Sequence, residues 1–492
     1  MAGVGFELRE LFRPRAAGHI RSSPHAALAT GLPFALLAGM VLVVQFLFFC
    51  FGVSEEENRL YIASVAYAFL FSQIIASGFG VVLARYVSDC LSRERCDDVV
   101  ASLFGMTAFL AGIGCILAAL FLLGKPLDWL TKLLVFLLFS QLMVLRVQSV
   151  YLSAAKRFER LLAVCLIGVL LCNILALFFL ASGWLSPVQG ALLSMNCGTG
   201  VIVLLSFLRL AMHFGMPGDG MNFAFLPHLE RHWRLFAASL CFTFGIFLPN
   251  MIVWQGPWGM VTEGTFRFSP VYDVVMFYAF FSILPLMAMF AVSVETNFYA
   301  CYAKYFSSIV HSGNFREIDD ARKELIHTLW FEMRHIMEFQ LVVTLVFLSL
   351  GNYFLSWTGS AYSQVNMFNV MLFGAFFTGI LQIICILLIY FDDQQDALKI
   401  AGSYLGGNLA LGLAGFFWWG EQSYGFTFFL ASAISLFYGI RCLNGFLKRV
   451  NYFVFCTQTI FYLPPQGFLT GIARRLYGNR LPDPEGTDPP GN

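Results

Sequence analysis

The chain has 492 residues, a formal charge of +1, 59% apolar side chains and only 12% charged ones. A soluble domain needs roughly a quarter of its residues charged to cover its surface, so a water-soluble fold is excluded. Near-neutrality also removes attraction to nucleic acid as a theme.

The first 24 residues are polar, include Arg9, Arg13, Arg15 and Arg21, and show no cleavable signal pattern. Long apolar runs follow. Crossing hydrocarbon as a helix takes about 20 apolar residues, and twelve runs meet that need: 25–52, 60–87, 99–124, 133–154, 161–182, 189–211, 235–256, 272–299, 336–356, 365–391, 399–419 and 425–447. Stretches such as Leu133–Ser140 are apolar on every side. That fits helices in lipid and not the two-residue alternation of barrel strands. The predicted fold class is an all-α polytopic membrane protein.

Lysine and arginine collect in alternate gaps. With the N-terminus inside, cytoplasmic segments hold 25 of the 30 basic residues, and external ones hold Arg59, Lys125, Lys132 and Arg267, with Arg146 within a span. Such a bias sets orientation in a bilayer, so both termini are expected in the cytoplasm. The location expected is the bacterial inner membrane.

The spans divide as six plus six. The first bundle is 25–211 and the second 235–447, joined by a cytoplasmic connector at 212–234 with Gly215, Pro217, Gly218, Gly220 and Pro227. Two bundles around a central cavity are a transporter architecture. Segment 300–335 carries Ile318, Ala321, Leu325 and Ile326 at helical spacing. It is expected to lie along the inner membrane surface, with Arg316, Arg322 and Lys323 as candidates for docking a partner. The tail 448–492 is expected in the cytoplasm, with its Pro/Gly/Asp-rich end 481–492 unstructured.

The twelve cysteines lack paired spacing and read as small apolar fillers. His228 and His232 are four apart but have no third ligand nearby, so no metal site is expected. No phosphate loop or catalytic constellation is present. The chain is therefore not expected to be an enzyme or to need a cofactor.

Several stretches resemble one family. They are the opening MAGVGFELRELF; Ala84-Arg85-Tyr86-Val87-Ser88-Asp89; Glu295-Thr296-Asn297-Phe298-Tyr299 with Tyr302, Tyr305, Phe306, Gly313 and Ile318; and Tyr390-Phe391-Asp392-Asp393. They resemble the PelG family of Pel exopolysaccharide transporters. That family is the polysaccharide branch of the multidrug/oligosaccharidyl-lipid/polysaccharide (MOP) flippase superfamily, whose drug-transporting branch is MATE. The resemblance implies a MATE-like fold and export of a growing acetylated-hexosamine polymer for a biofilm matrix. It also implies a cytoplasmic glycosyltransferase and membrane subunits that sense cyclic di-GMP as partners. One stretch departs: where the family carries an acid–base pair in span seven, this chain reads Gly245-Ile246-Phe247-Leu248-Pro249-Asn250, without charge. The role of that pair is not carried over.

Ionisable groups inside a bilayer are costly and point to function. Arg146 in span four either pairs with a neighbouring helix or lines the cavity. Glu295, near the inner end of span eight, is either a solvated mouth residue or the partner of Arg146 across the two halves. Asp273 reads as a helix N-terminal acid. The mid-span amides Gln73, Gln141, Asn173, Asn196, Gln382 and Asn408 suit either interhelical bonding or sugar hydroxyls. Tyr67, Trp254, Tyr278 and Trp418 suit sugar stacking, packing or the aromatic belt. Export of an uncharged polyhydroxylated chain is the leading reading. A lipid-linked oligosaccharide flippase, an ion-coupled drug antiporter and a non-conducting scaffold for a polysaccharide synthase are the alternatives. Scarce mid-span acids argue against the antiporter.

Overall fold

The computed structural model describes residues 38–92, 95–154, 158–215, 221–310, 314–357, 362–456 and 467–478. Among these residues, eleven helices are long and apolar enough to cross a membrane, and Ala38–Cys50 is a shorter apolar helix. The chain is a multi-pass membrane protein. The polar start 1–24, the first part of the run 25–52, and the tail end 481–492 lie outside the described residues.

The first half holds α1 (Ala38–Cys50), α2 (Glu55–Ser92), α3 (Cys96–Leu123), α4 (Trp129–Ala154), α5 (Phe158–Ser182) and α6 (Pro187–Phe214). A short helix α7 (Leu226–Arg231) lies in the connector. The second half holds α8 (Trp233–Trp254), strands β1 (Met260–Thr262) and β2 (Phe266–Phe268), and span eight, broken into α9 (Pro270–Phe281) and α10 (Leu284–Ser293). After a π-helical turn at Val294–Phe298 come α11 (Tyr299–Val310), α12 (Phe315–Trp357), α13 (Tyr362–Tyr390), α14 (Gln394–Ala414) and α15 (Tyr424–Lys448). Two short helices come last among the described residues, α16 (Val450–Cys456) and α17 (Phe468–Tyr477).

Helix starts follow local chemistry. Ser186 and Ser269 accept from the backbone of Gln189 and Tyr272, with proline next in line at Pro187 and Pro270. Asp393 caps α14 by accepting from the Asp396 amide, while Asp392, at φ 65°, makes the left-handed turn that ends α13. Small residues set the closest approaches. A Cβ on Gly198 would lie 2.7 Å from both the Gly168 oxygen and Cys172 Cβ, so α5 and α6 touch backbone to backbone.

Each half has its own apolar core. Three pieces from beyond α7 are buried in the first core: Trp254, the strand residues Phe266 and Phe268, and Ala473 of α17. The hairpin was not legible as transmembrane patterning. Met260 pairs with Phe268 and Thr262 with Phe266, around a turn in which Glu263 and Gly264 both have positive φ.

The described residues of segment 300–335 are divided between two helices. Its two parts are α11, continuing from span eight, and the start of α12, whose 43 residues run about 65 Å. Exposed side chains on α12 change from Arg334, His335 and Glu338 to Leu341, Val342, Leu345 and Val346. The helix therefore leaves the hydrocarbon near Glu338, and roughly 20 residues project beyond it. A polar ladder ties α12 to the preceding helices: Gln340 to the Ser282 oxygen, Glu332 to Ser293 and Asn297, Thr328 to Cys301, and Glu324 to Lys304. Arg322 and Lys323 both pair with Asp319 on their own helix, at 2.9 and 2.8 Å, while Arg316 is exposed.

The α5–α6 contact gives a stability test with a built-in control. Gly198→Leu should cost about 1–3 kcal/mol by overpacking, read as a lowered unfolding midpoint in detergent. Gly112→Leu, where nothing lies within 4 Å, should leave the midpoint unchanged.

Candidate functional site at the seam between the bundles

The bundles meet where α2 of the first half runs antiparallel to α8 of the second. Mid-seam contacts are close. Ser239 donates to the Ser77 oxygen at 3.0 Å, and a Cβ on Gly78 would lie 2.7 Å from the Phe236 ring. Tyr67 and Arg85 are five helical turns apart on α2, so they share one face and are separated by about 27 Å. That is close to the hydrocarbon thickness of about 30 Å. Each ends the seam with a polar join to the second half.

At the hairpin end, the Tyr67 hydroxyl donates to the Arg267 oxygen at 2.7 Å and accepts from the Arg267 amide at 3.0 Å. Its ring stacks on Trp254 at 5.1 Å and 11° and meets Phe266 edge-on. Trp254 Nε1 in turn donates to Asp273, at 2.9 and 3.0 Å to the two oxygens. Asp273 also accepts from Asn250 Nδ2 at 2.7 Å and the Ser269 amide at 3.0 Å. Both its oxygens are engaged by N–H donors, so this carboxylate organises the hairpin base in the first turn of α9. Asn250 comes from the uncharged stretch of span seven, and its bond to Asp273 brings a carboxylate beside that stretch from α9.

At the connector end, Arg85 Nη1 donates to Asp392 Oδ1 at 2.6 Å. The short helix α7 supports this lock from both sides. His228 lies 3.5 Å from Asp89 and edge-on to the Tyr86 ring. His232 Nδ1 lies 3.0 Å from Gln394 Nε2, and Gln394 also donates to Asp392. Burial, and after it the positive charges of Arg85, His228 and Arg231, push His232 down to about 3, so it is a neutral ring at ordinary pH. The two histidines, unremarkable as a metal pair, are thus lock residues. The two acidic and basic stretches Ala84–Asp89 and Tyr390–Asp393, both quoted above for the family resemblance, come together here.

The predicted path residues are not gathered at one point. Asn196 staples α6 to α4 by donating to the Leu134 oxygen at 3.0 Å. Gln141 faces Gly200 across the same contact. Asn408 bonds its own helix at Tyr404, beside a Thr378–Tyr404–Ser432 hydroxyl network. Gln73, Gln141, Asn173, Asn196 and Asn408 each keep a buried carbonyl oxygen without a partner among the described residues. Gln382 is half-buried on α13. Arg146 is half-buried on α4 and makes no ion pair among the described residues. The Glu295 side chain lies outside the described residues, so the expected Arg146–Glu295 pair stands as a proposal. Trp418 is exposed, and Tyr278 packs on the second core.

The sequence matches the PelG family, described as an exopolysaccharide exporter (EPS-E), over residues 1–455. No curated protein sequence is significantly similar. Among solved structures, the fold is similar to a MOP superfamily transporter from Pyrococcus furiosus, 12% identical, with a TM-score of 0.60 over 90% of this chain and 98% of that one. It is also similar to an outward-facing multidrug resistance MATE transporter, 14% identical, TM-score 0.55, over 91% and 99%. The Vibrio cholerae MATE transporter VcmN in its bent form is 15% identical, TM-score 0.55, over 88% and 98%.

Two measurements test the lock. Arg85→Asp and Asp392→Arg should each destabilise the solubilised protein by about 1–3 kcal/mol, and the double variant should recover most of the loss. Because a neutral His232 is favoured in the fold, its contribution is present above pH 6.5 and is lost as pH falls toward 3. His232→Gln should flatten the stability–pH curve across that window.

Proposed function

Since this chain belongs to the PelG family of exopolysaccharide exporters, we propose that it carries a growing, uncharged acetylated-hexosamine polymer across the bacterial inner membrane for a biofilm matrix. The fold is that of the MOP superfamily, and family and fold alike are transporters. On this reading both termini face the cytoplasm, the connector end of the seam is cytoplasmic, and the hairpin end is external.

The observation that carries the reading is the seam itself. Its ends are held by a hydroxyl–backbone join and an ion pair, about 27 Å apart on one face of α2. Such joins exchange readily with water, unlike an apolar weld, so either end can part while the other holds. That is what alternating exposure of a path requires. Arg146 and the amides with unpartnered oxygens offer donors and acceptors to hydroxyl and acetamido groups once the seam opens. Arg146 supplies only donors and suits an acetamide carbonyl. The same polarity fits a neutral polymer better than a cationic drug.

The partners in this proposal are a cytoplasmic glycosyltransferase that makes the chain and membrane subunits that sense cyclic di-GMP. The α11–α12 arm, projecting into water on the connector side, is the docking face offered to them. Arg316 is exposed and makes no ion pair among the described residues, while Arg322 and Lys323 are held by Asp319.

Deleting this chain in cells that retain the synthase should leave polymer inside the cytoplasm. Restoring the chain should return it to the exterior. Polymer reaching the exterior without the chain would overturn the proposal.

A further inference from the structure

The helix α17 follows the second bundle in sequence but docks on the connector of the first. Glu230 of α7 accepts from the Thr470 hydroxyl at 2.6 Å and from the Thr470 amide at 3.1 Å, at the N-terminus of α17. The Tyr477 hydroxyl, at the other end, accepts from the Phe223 amide at 3.0 Å. Leu469, Ile472 and Ala473 pack into the first core. Gly467 permits the fit, because a Cβ there would lie 1.2 Å from Glu230 Oε1.

The helix that receives this contact has six residues, far below the dozen or so at which an isolated helix holds itself. Its position is therefore set by what packs on it. Within those residues and the next, Glu230 faces α17, His228 faces Asp89 of α2, and His232 faces Gln394 beside Asp392. The α17 contact and the Arg85–Asp392 lock thus share one small bracket. The buried face of α17 is slight, with Thr470 and Ala473 as its fully buried residues, so the contact can be broken at modest cost.

We infer that α17 is a detachable brace for the lock at the connector end of the seam. Docked, it holds α7 in place and, through His228 and His232, steadies the Arg85–Asp392 pair. Released, it frees α7 and loosens that end. The inference rests on the reading that the seam opens during transport, and it adds the element that controls one of its ends.

The test uses the full-length protein in detergent with Leu235→Cys, a buried position three residues after His232 at the start of α8. Its rate of reaction with a water-soluble maleimide is followed by mass spectrometry. Gly467→Ala and Glu230→Ala, two ways to undock α17, should each raise that rate several-fold. The native Cys172, fully buried in the first core, serves as the control for general unfolding and should not change. Equal labelling at Leu235→Cys with α17 docked and undocked would overturn the brace, as would a parallel rise at Cys172. The readout needs no polymer, so failure of the export assay would count against the exporter reading and leave this result standing.

Discussion

Everything in this fold depends on one stripe of α2. Tyr67, Gly78, Arg85 and Asp89 lie on a single face because 18 residues make five full turns. That face is the surface on which the second bundle rests. Its middle is close-packed through Gly78 and Phe236, and its two ends carry the polar joins. The helix has 38 residues and is about 57 Å long, and the two joins lie about 27 Å apart within it, close to the thickness of the hydrocarbon.

The surrounding structure serves the two joins in different ways. At one end a β-hairpin is driven into the first core by Phe266 and Phe268, and a fully engaged Asp273 fixes the Trp254 indole against Tyr67. Aromatic stacking and backbone hydrogen bonds make that end broad and rigid. At the other end an ion pair is framed by a six-residue helix and a left-handed aspartate. Its parts are short, and each is positioned by a neighbour. The two ends of the seam are thus made of different interactions.

Polar groups within the bundles follow the accounting that lipid imposes. A donor or acceptor in hydrocarbon must find a partner or cost several kcal/mol. Serine and threonine hydroxyls mostly bond carbonyls of their own helix, as at Ser72, Ser194 and Thr344. The amides satisfy their donors and leave carbonyl oxygens over, as Asn196 and Asn408 show. Arg146 lies apart from any described carboxylate. On the proposed reading, these leftovers are the groups offered to a passing polyhydroxylated chain.

The spans were legible in the sequence because a helix crossing lipid demands some twenty apolar residues in a row, a pattern that barrel strands do not share. The caps at Ser186, Ser269 and Asp393 and the left-handed turn were likewise local matters of residue type. The hairpin had a local signal in Glu263-Gly264 between Val261 and Phe266, hidden by its place in a short gap. That the polar stretch before residue 336 and the span after it form one helix, α12, was hidden too, because a helix continuing into water looks like a separate polar segment. The partners of His228, of Asp392 and of Glu230 could not be read at all. Arg85 meets Asp392 across 307 residues, and Thr470 meets Glu230 across 240. Hydropathy and capping act between near neighbours along the chain and were determined by the sequence alone. Which face of α2 meets α8, and which loops close over its ends, is set by packing two bundles together, so only the tertiary structure decided them.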